Sequence, residues 1–591
     1  MRISFGLFAV CVLVAVVHCT SAAEHAGNVF VAGDEISVPL PAKWAGWRAI
    51  DIDGKEVAQS AEAAEKAVLG KLPIGYFEVL EKGGPGKVMA GVVAKNEATE
   101  DTPIALDTGI SWFYADPQQI RDACTLCRLA GVKWIRDRLS WPEMEPERGK
   151  FAEETRYEKA MRLEHEAGLK ILQVNHASPP WAAKVGAHFP DDLRDVYDFY
   201  HGLAKRWNGL ADAIEPWNEP DIELFGGHTG CEIASFQKAA YLGLKAGDPK
   251  VPVCEAVFAI DRPETLDEFG ENKVYPYFDI YDLHHYVGLD AYPRAYGRHR
   301  AVSGGRPMWT SEFNLMVNWA DAKTQEPSEE DLRVQGYRVS KVFATALNER
   351  ADKLFYFILG HYVERTLQYG LVHTDLTPRP AYIAFAAVGR FFNGAKPLGS
   401  VKLGDDKLKG YVFETQVDGK KRETLVAWSE TKPTTVEIRP AEKAYDYLGR
   451  ELGSAKKAEL TRSPIFFVLP SGGSQKLNVD PPPAKAKKLE GKPGSVVLQL
   501  LGHSDFKQSA FVLDDSKKMQ LVAYNFGEQA ARGVVRVRGG KTETGELEIA
   551  PGDRVTREIT VDGPGEVSVT FDSGKSEHAI VSSRIVRAAS Q

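Results

Sequence analysis

A (β/α)8 barrel of mixed α/β class, flanked by an N-terminal and two C-terminal β-sandwich domains, is the architecture this sequence predicts. Three observations carry it. Between residues 104 and 392 short apolar runs alternate with amphipathic stretches, and eight such runs can be counted. On either side the helical periodicity disappears, and short alternating segments broken by turn residues replace it. A chain of 591 residues is also too long for a single core.

The eight runs fall at 104–113, 132–141, 170–176, 213–218, 251–258, 279–286, 307–312 and 353–359. Between them, 118–130, 156–167, 192–207, 235–245 and 329–348 repeat apolar residues at helical spacing, and 382–392 closes the series. Such alternation builds a parallel sheet covered by helices. An open doubly wound sheet shares it, but no G-x-G-x-x-G follows the first run. A closed barrel over 101–394 is the reading that remains.

Upstream, residues 24–100 show five alternating segments, with the glycine-rich loop Lys82-Gly83-Gly84-Pro85-Gly86 between two of them. They predict a small β-sandwich without catalytic groups. Downstream, a sandwich packed on the barrel is expected at 395–475, and a stiff linker at 476–494 around Pro481-Pro482-Pro483. A last β-sandwich follows over 495–591. It contains no Trp, which favours a structural role over polysaccharide binding.

Residues 1–23 read as a secretory signal peptide. Arg2 is followed by the apolar stretch 5–17 and by Ser21-Ala22-Ala23 ahead of Glu24, so a secreted or periplasmic location is expected. That run is too short for a membrane span, and no other stretch approaches the necessary twenty residues. The formal charge of −8, with Lys and Arg dispersed, argues against a nucleic-acid partner. Cys124-x-x-Cys127 lies inside the helical pattern 118–130, and no second pair stands at a zinc-site spacing. Buried helix positions are the simpler reading.

Two strand ends carry the chemistry. Trp217-Asn218-Glu219-Pro220 ends the fourth run, and Trp309-Thr310-Ser311-Glu312-Phe313-Asn314 closes the seventh. In barrels of this type functional groups project from the C-terminal ends of the strands, so both carboxylates would face one mouth. Two facing carboxylates are the minimum equipment for breaking a glycosidic bond, one as proton donor and one as nucleophile or base. No H-E-x-x-H, P-loop or G-x-S-x-G competes with them, and His284 and His285, adjacent on a strand, would point oppositely. Neither metal nor cofactor is called for.

The stretch Ile214-Glu215-Pro216-Trp217-Asn218-Glu219-Pro220 resembles the Asn-Glu-Pro motif of clan A glycoside hydrolases, the retaining enzymes built on (β/α)8 barrels. Trp309-Thr310-Ser311-Glu312 is similar to the clan's nucleophile strand, and the texture is nearest to family 39. The resemblance implies Glu219 as acid/base, Glu312 as nucleophile and an oligo- or polysaccharide as substrate. It implies further that Arg136, or Arg138 beside it, steadies the nucleophile and that Asn218 grips the sugar 2-hydroxyl. Tyr286 would hydrogen-bond the nucleophile. His176, His285 and Trp181 are further candidates for sugar contact, with Trp141 and Trp217 behind them. Many clan members end the eighth strand in a Trp, where this chain has Phe357-Ile358-Leu359. The competing class is a non-catalytic carbohydrate-binding protein on a degenerate barrel, against which the intact set Glu219, Glu312, Asn218 and Arg136 speaks.

Overall fold

The computed structural model describes residues 25–318, 325–542, 545–574 and 579–587; the signal expected at 1–23 lies outside them. Seven parallel strands form the central sheet. In spatial order they are Ala213–Glu215, Lys170–Asn175, Trp134–Leu139, Ile104–Asp107, Lys353–Phe357, Met308–Phe313 and Tyr281–His285. The expected fifth strand, at 251–258, is not a regular strand. It closes the ring through single parallel bridges, Ile214 to Val253 and Asn218 to Val257 on one side, Cys254 to Ile280 and Phe258 to Leu283 on the other. The barrel is thus complete, with one stave held by fewer hydrogen bonds.

Nearly every residue of these strands is buried, as expected where helices cover the outside and side chains fill the inside. The interior is layered. At the N-terminal end Ala105, Leu172, Ala213, Cys254, Trp309 and Phe355 make an apolar plug, with Trp134 against it. Above the plug, Asp107, Arg136 and Glu215 form a fully buried ionic layer. The strand ends above that layer hold the polar groups described below.

The surrounding helices start where the sequence places their caps. Asp116 caps Pro117–Leu129, and Thr155 with Glu158 and Thr229 with Glu232 form reciprocal capping boxes on Arg156–Glu166 and Gly230–Gly247. Cys124 and Cys127 lie buried and free in the first of these, with burial pushing both thiols upward. Such thiols are inert packing groups. Two further helices, Pro263–Glu271 and Tyr292–Val302, follow the fifth and sixth staves. No helix among the described residues is long and apolar enough to cross a membrane.

The N-terminal module has a five-stranded sheet, ordered Val29–Val31, Lys87–Val93, Gly75–Glu81, Trp47–Asp51, Glu56–Ser60, and a two-stranded pair, Ile36–Trp44 with Ala64–Gly70. Trp44, Trp47, Val38 and Val79 fill the space between them. After the barrel, a six-stranded sheet runs from Lys396–Val401 to Val479–Asp480, the latter beyond the expected boundary at 475.

The segment expected as a stiff linker does not act as a spacer. Leu489 N–H donates to Gly304 O (2.9 Å), Tyr275 OH to Glu490 O (3.0 Å) and Tyr277 OH to Gly494 O (3.2 Å), so this irregular run is pinned along the barrel wall. The final module consequently docks on the helices Gly230–Gly247 and Pro263–Glu271. Ser235 Oγ donates to Leu498 O (3.0 Å), Lys238 Nζ to Ile580 O (2.9 Å), and Asn272 exchanges two 2.8 Å bonds with the Ser582 backbone. Cys231 of the barrel helix even enters this module's apolar core.

Candidate active site

Strand alternation and one irregularity place the side chains at the barrel mouth. On Trp134–Leu139, Arg136 and Arg138 share the inward face, one above the other. The seventh strand shifts register against both neighbours around Ser311 and Glu312. A bulge of this kind re-aims side chains, and here it lets consecutive residues meet one imidazole. His284 Nε2 lies 3.1 Å from Ser311 Oγ, while Nδ1 lies 3.7 Å from Glu312 Oε2.

The same imidazole reaches the other carboxylate: His284 Nδ1 is 2.6 Å from Glu219 Oε1. Glu219 follows a strand extended by the bond from Asn218 N–H to Asn175 O (2.8 Å). Pro220 disfavours the right-handed helical conformation at Glu219, whose backbone takes the left-handed region instead (φ 47°). Asp221 then fastens the turn by accepting from Ala259 N–H (2.8 Å) and Ile260 N–H (3.1 Å). The loop presenting Glu219 is therefore held from both ends.

Glu219, His284 and Glu312 each offer an atom within 4.8 Å of the other two. Such a trio has the donor types of a metal site, but His284 Nδ1 is already hydrogen-bonded to Glu219, with Glu312 at ion-pair distance. Separation of the two carboxylates is the decisive quantity. One oxygen of Glu219 lies within 4.8 Å of one oxygen of Glu312, a close approach in keeping with direct attack by one of them.

The surroundings of Glu312 are strongly cationic. Oε1 is bonded by Arg136 Nη1 and by Arg138 Nη2 (3.2 Å), and Oε2 accepts from Tyr286 OH (2.6 Å). Burial pushes this carboxyl up, yet His284, Arg136 and Arg138 outweigh it and hold Glu312 at about 2. It is an ionised, oriented carboxylate at any ordinary pH. Arg136 is itself anchored by Glu215 (2.7 Å) and Asp107 (2.8 Å), and its Nη2 donates to Asn218 Oδ1 (2.8 Å). With that oxygen taken, the Asn218 amide nitrogen is the group left to meet a hydroxyl.

Burial lowers the affinity of His284 for a proton, but Glu312 and Glu219 more than compensate, and its pKa is raised. A raised value in the fold means stability that is complete below the unfolded value near 6.5 and is lost as pH climbs through the folded one. Replacing His284 by Asn should therefore destabilise the protein more at pH 6 than at pH 9.5. Urea unfolding at the two pH values measures it. An equal loss at both would mean that His284 carries no bound proton.

The pocket over these groups has a volume of about 330 Å³. His176, expected there, lines it: burial foremost, then Arg138 and Arg136, pull it down to about 4, so it is neutral, and its buried Nδ1 has no hydrogen-bond partner. Asn218, Glu219, Tyr286 and Glu312 also line the pocket, with Arg136 directly beneath. Phe357 stands at the end of the eighth strand, beside Tyr362 and Tyr369, in an aromatic wall.

Four expected sugar contacts need correction. His285 faces away from the mouth and packs edge-on against Tyr292 (ring centroids 4.1 Å apart) on the outer helix. Its neighbours His284 and Tyr286 both reach the carboxylates, so the period of two turns 285 away from the mouth. Trp181 is outside the pocket: its Nε1 donates to Glu145 O (3.1 Å) and Arg148 covers its ring. Trp141 stacks on Phe199, and Trp217 is packed between Phe189 and Phe236, both fully buried. The tryptophan that does line the pocket is Trp112, on the short helix Ile110–Phe113. Gly109, at φ 53°, breaks the first run and is the sequence signal of this turn that the expected run 104–113 passed over.

No family model matches the sequence, and no curated protein matches it. Solved structures do. A family 39 glycoside hydrolase from the gut symbiont Bacteroides cellulosilyticus superimposes with a TM-score of 0.60 at 16% identity, covering 75% of this chain and 99% of that one. A family 30 endoxylanase from Clostridium papyrosolvens (TM-score 0.47, 13% identity, 64% and 98% covered) and a family 39 β-xylosidase from Caulobacter crescentus (0.44, 15%, 64% and 98%) lie further off. Across three quarters of its length this chain has the fold of that family 39 glycoside hydrolase, the barrel architecture that its Asn-Glu-Pro motif resembles.

Proposed function

We propose that the protein is an exported retaining β-glycoside hydrolase acting on an oligosaccharide, a polysaccharide or another glycoside. One observation carries the reading: an ionised Glu312 and a second carboxylate, Glu219, share one imidazole across a sugar-sized pocket, within 4.8 Å of each other. Glu312, fixed by two arginines and a tyrosine, attacks the anomeric carbon, while Glu219 protonates the departing oxygen. A glycosyl–Glu312 ester results. Water, losing its proton to Glu219, then attacks the same carbon, releases the sugar and regenerates the Glu312 carboxylate.

His284 has a part in both steps. Its Nδ1 lies 2.6 Å from Glu219 Oε1, so one proton shared by the pair serves the leaving oxygen, and the pair receives the one that water gives up. Asn218 and the neutral His176 supply hydrogen bonds to sugar hydroxyls. The apolar run after Arg2 supports export.

Turnover on a panel of 4-nitrophenyl β-glycosides, with the first-formed anomer followed by NMR, tests the reading. Retention is expected. Glu219→Ala should slow substrates with poor leaving groups by about 10²–10⁴-fold while sparing those with dinitrophenyl leaving groups, which depart without a proton. Equal losses for both kinds of leaving group, or inversion at the anomeric centre, would contradict the assignment. Binding without any cleavage would favour the carbohydrate-binding alternative.

A further inference from the structure

Two large apolar side chains stand unusually exposed at the mouth of the carboxylate pocket: Trp112 at 43% and Leu224 at 67%. Leu224 belongs to the loop that carries Glu219, and Trp112, over which Arg138 lies, joins that loop through His176. Leu224 follows Glu219 on the same loop, between Ile222 and Phe225, and all three line the pocket. Trp112 meets His176 edge to ring (4.8 Å), and His176 meets Phe225 (6.4 Å), so the apolar surface is continuous around one polar ring. A single exposed Leu means little; a contiguous set beside a reaction centre marks a contact surface.

The acid stands beside the leaving group, so this wall is what the leaving group touches. A second sugar there would need partners for its hydroxyls; the polar groups beside this wall are His176 and the Arg138 guanidinium over Trp112, which Asp107 and Glu312 already hold. Trp112 and Phe225 alone would suit a sugar face as well as an apolar ring. Ile222 and Leu224 do not: branched aliphatic side chains give a sugar nothing to bond. The loop is also prepared in advance. Asp221 anchors its start, and Phe506 of the final module backs it at Gly227, where a Cβ would come within 2.8 Å of the Phe506 ring.

We infer, on the glycosidase reading above, that the leaving-group subsite takes an apolar aglycone, alkyl or aryl, in preference to another sugar. Ile222, Leu224, Phe225 and Trp112 determine this specificity.

The test compares octyl and methyl β-glycosides of one sugar, chosen from those the panel shows to be cleaved, with its β-linked disaccharide. Octyl should exceed methyl in kcat/KM by ~50-fold, the worth of about three buried methylenes. It should also surpass the disaccharide, although a sugar is the better leaving group. Leu224→Ser, at an exposed position, should lower the octyl-to-methyl ratio about fivefold. Equal rates for octyl and methyl, or preference for the disaccharide, overturn the subsite. Calorimetry with octyl and methyl β-thioglycosides, which resist hydrolysis, separates the two claims. Tighter octyl binding without cleavage of any glycoside removes the glycosidase reading and keeps the apolar subsite. Cleavage with no octyl advantage in rate or binding removes the subsite alone.

Discussion

Replacing Glu312 by Gln is expected to reduce kcat by about 10⁴-fold or more, since the group that forms the covalent bond is gone while the pocket keeps its shape. Everything around Glu312 is arranged to keep it charged. Arg136 and Arg138 meet one oxygen, Tyr286 the other, and His284 stands 3.7 Å away. A neutral amide would satisfy the geometry and lose the nucleophile. Azide distinguishes the two carboxylates. With Glu312→Gly, azide should restore turnover and yield a glycosyl azide of inverted configuration, because it takes the place of the missing side chain. With Glu219→Gly it should yield the retained configuration, because it attacks the ester on Glu312. A Glu312→Gln protein with ordinary turnover, or azide products of the opposite stereochemistry, would end the assignment.

Most of the barrel is legible in the sequence because short, largely apolar runs alternate with amphipathic helices at a regular spacing. Met308–Phe313 and Lys353–Phe357 are fully buried, and the helix Glu329–Asn348 matches its expected limits. Legibility fails where hydrophobicity stops being informative. The first run extends apolar residues through Phe113, yet the strand ends at Asp107 and the chain turns at Gly109 into a helix. That overrun concealed Trp112. The helices Pro263–Glu271 and Tyr292–Val302 went unread, although each carries a proline in its first turn, the position where proline starts a helix.

The site shows the same division. Strand-end position brings out Glu219 and Glu312, the resemblance to clan A adds Arg136, Asn218 and Tyr286, and the fold assembles these five. His284 was within reach too, for alternation puts it on the face of Tyr286. The double contact of His284 with Ser311 and Glu312 was not. It depends on a register shift between neighbouring strands, which is a property of pairing rather than of either strand alone. The pinned segment 481–494 is a similar case. Proline and lysine content reports local stiffness, while the bonds to Gly304, Tyr275 and Tyr277 come from the wall it meets.

Arg136→Met is expected to destabilise the protein by about 3–5 kcal/mol, a large part of the roughly 5–15 kcal/mol that holds most domains folded. Arg136 is entirely buried and bonds Asp107, Glu215, Glu312 and Asn218 at once. Burial opposes its charge, but Glu215, Glu312 and Asp107 together raise its pKa well above the ordinary value. Methionine fills the space and leaves those carboxylates with a smaller share of positive charge, the costliest way to break a buried ionic group. Arg138 remains for Asp107 and Glu312, so the loss falls most heavily on Glu215. The pH dependence follows with a definite sign. Glu312 is held at about 2, so its contribution to stability is present above the usual carboxylate range and lost as pH falls towards 2. Without Arg136 that carboxyl titrates higher, and the acidic limbs of both stability and kcat/KM move up in pH. Arg136→Lys keeps one charge but cannot fork to four acceptors, so it should recover part of the stability and little of the activity. Urea unfolding across pH 3–8, beside pH–rate profiles for both variants, measures these effects. An Arg136→Met protein with unaltered stability and an unmoved acidic limb would show that the ionic layer beneath the pocket supports neither the fold nor the charge on Glu312.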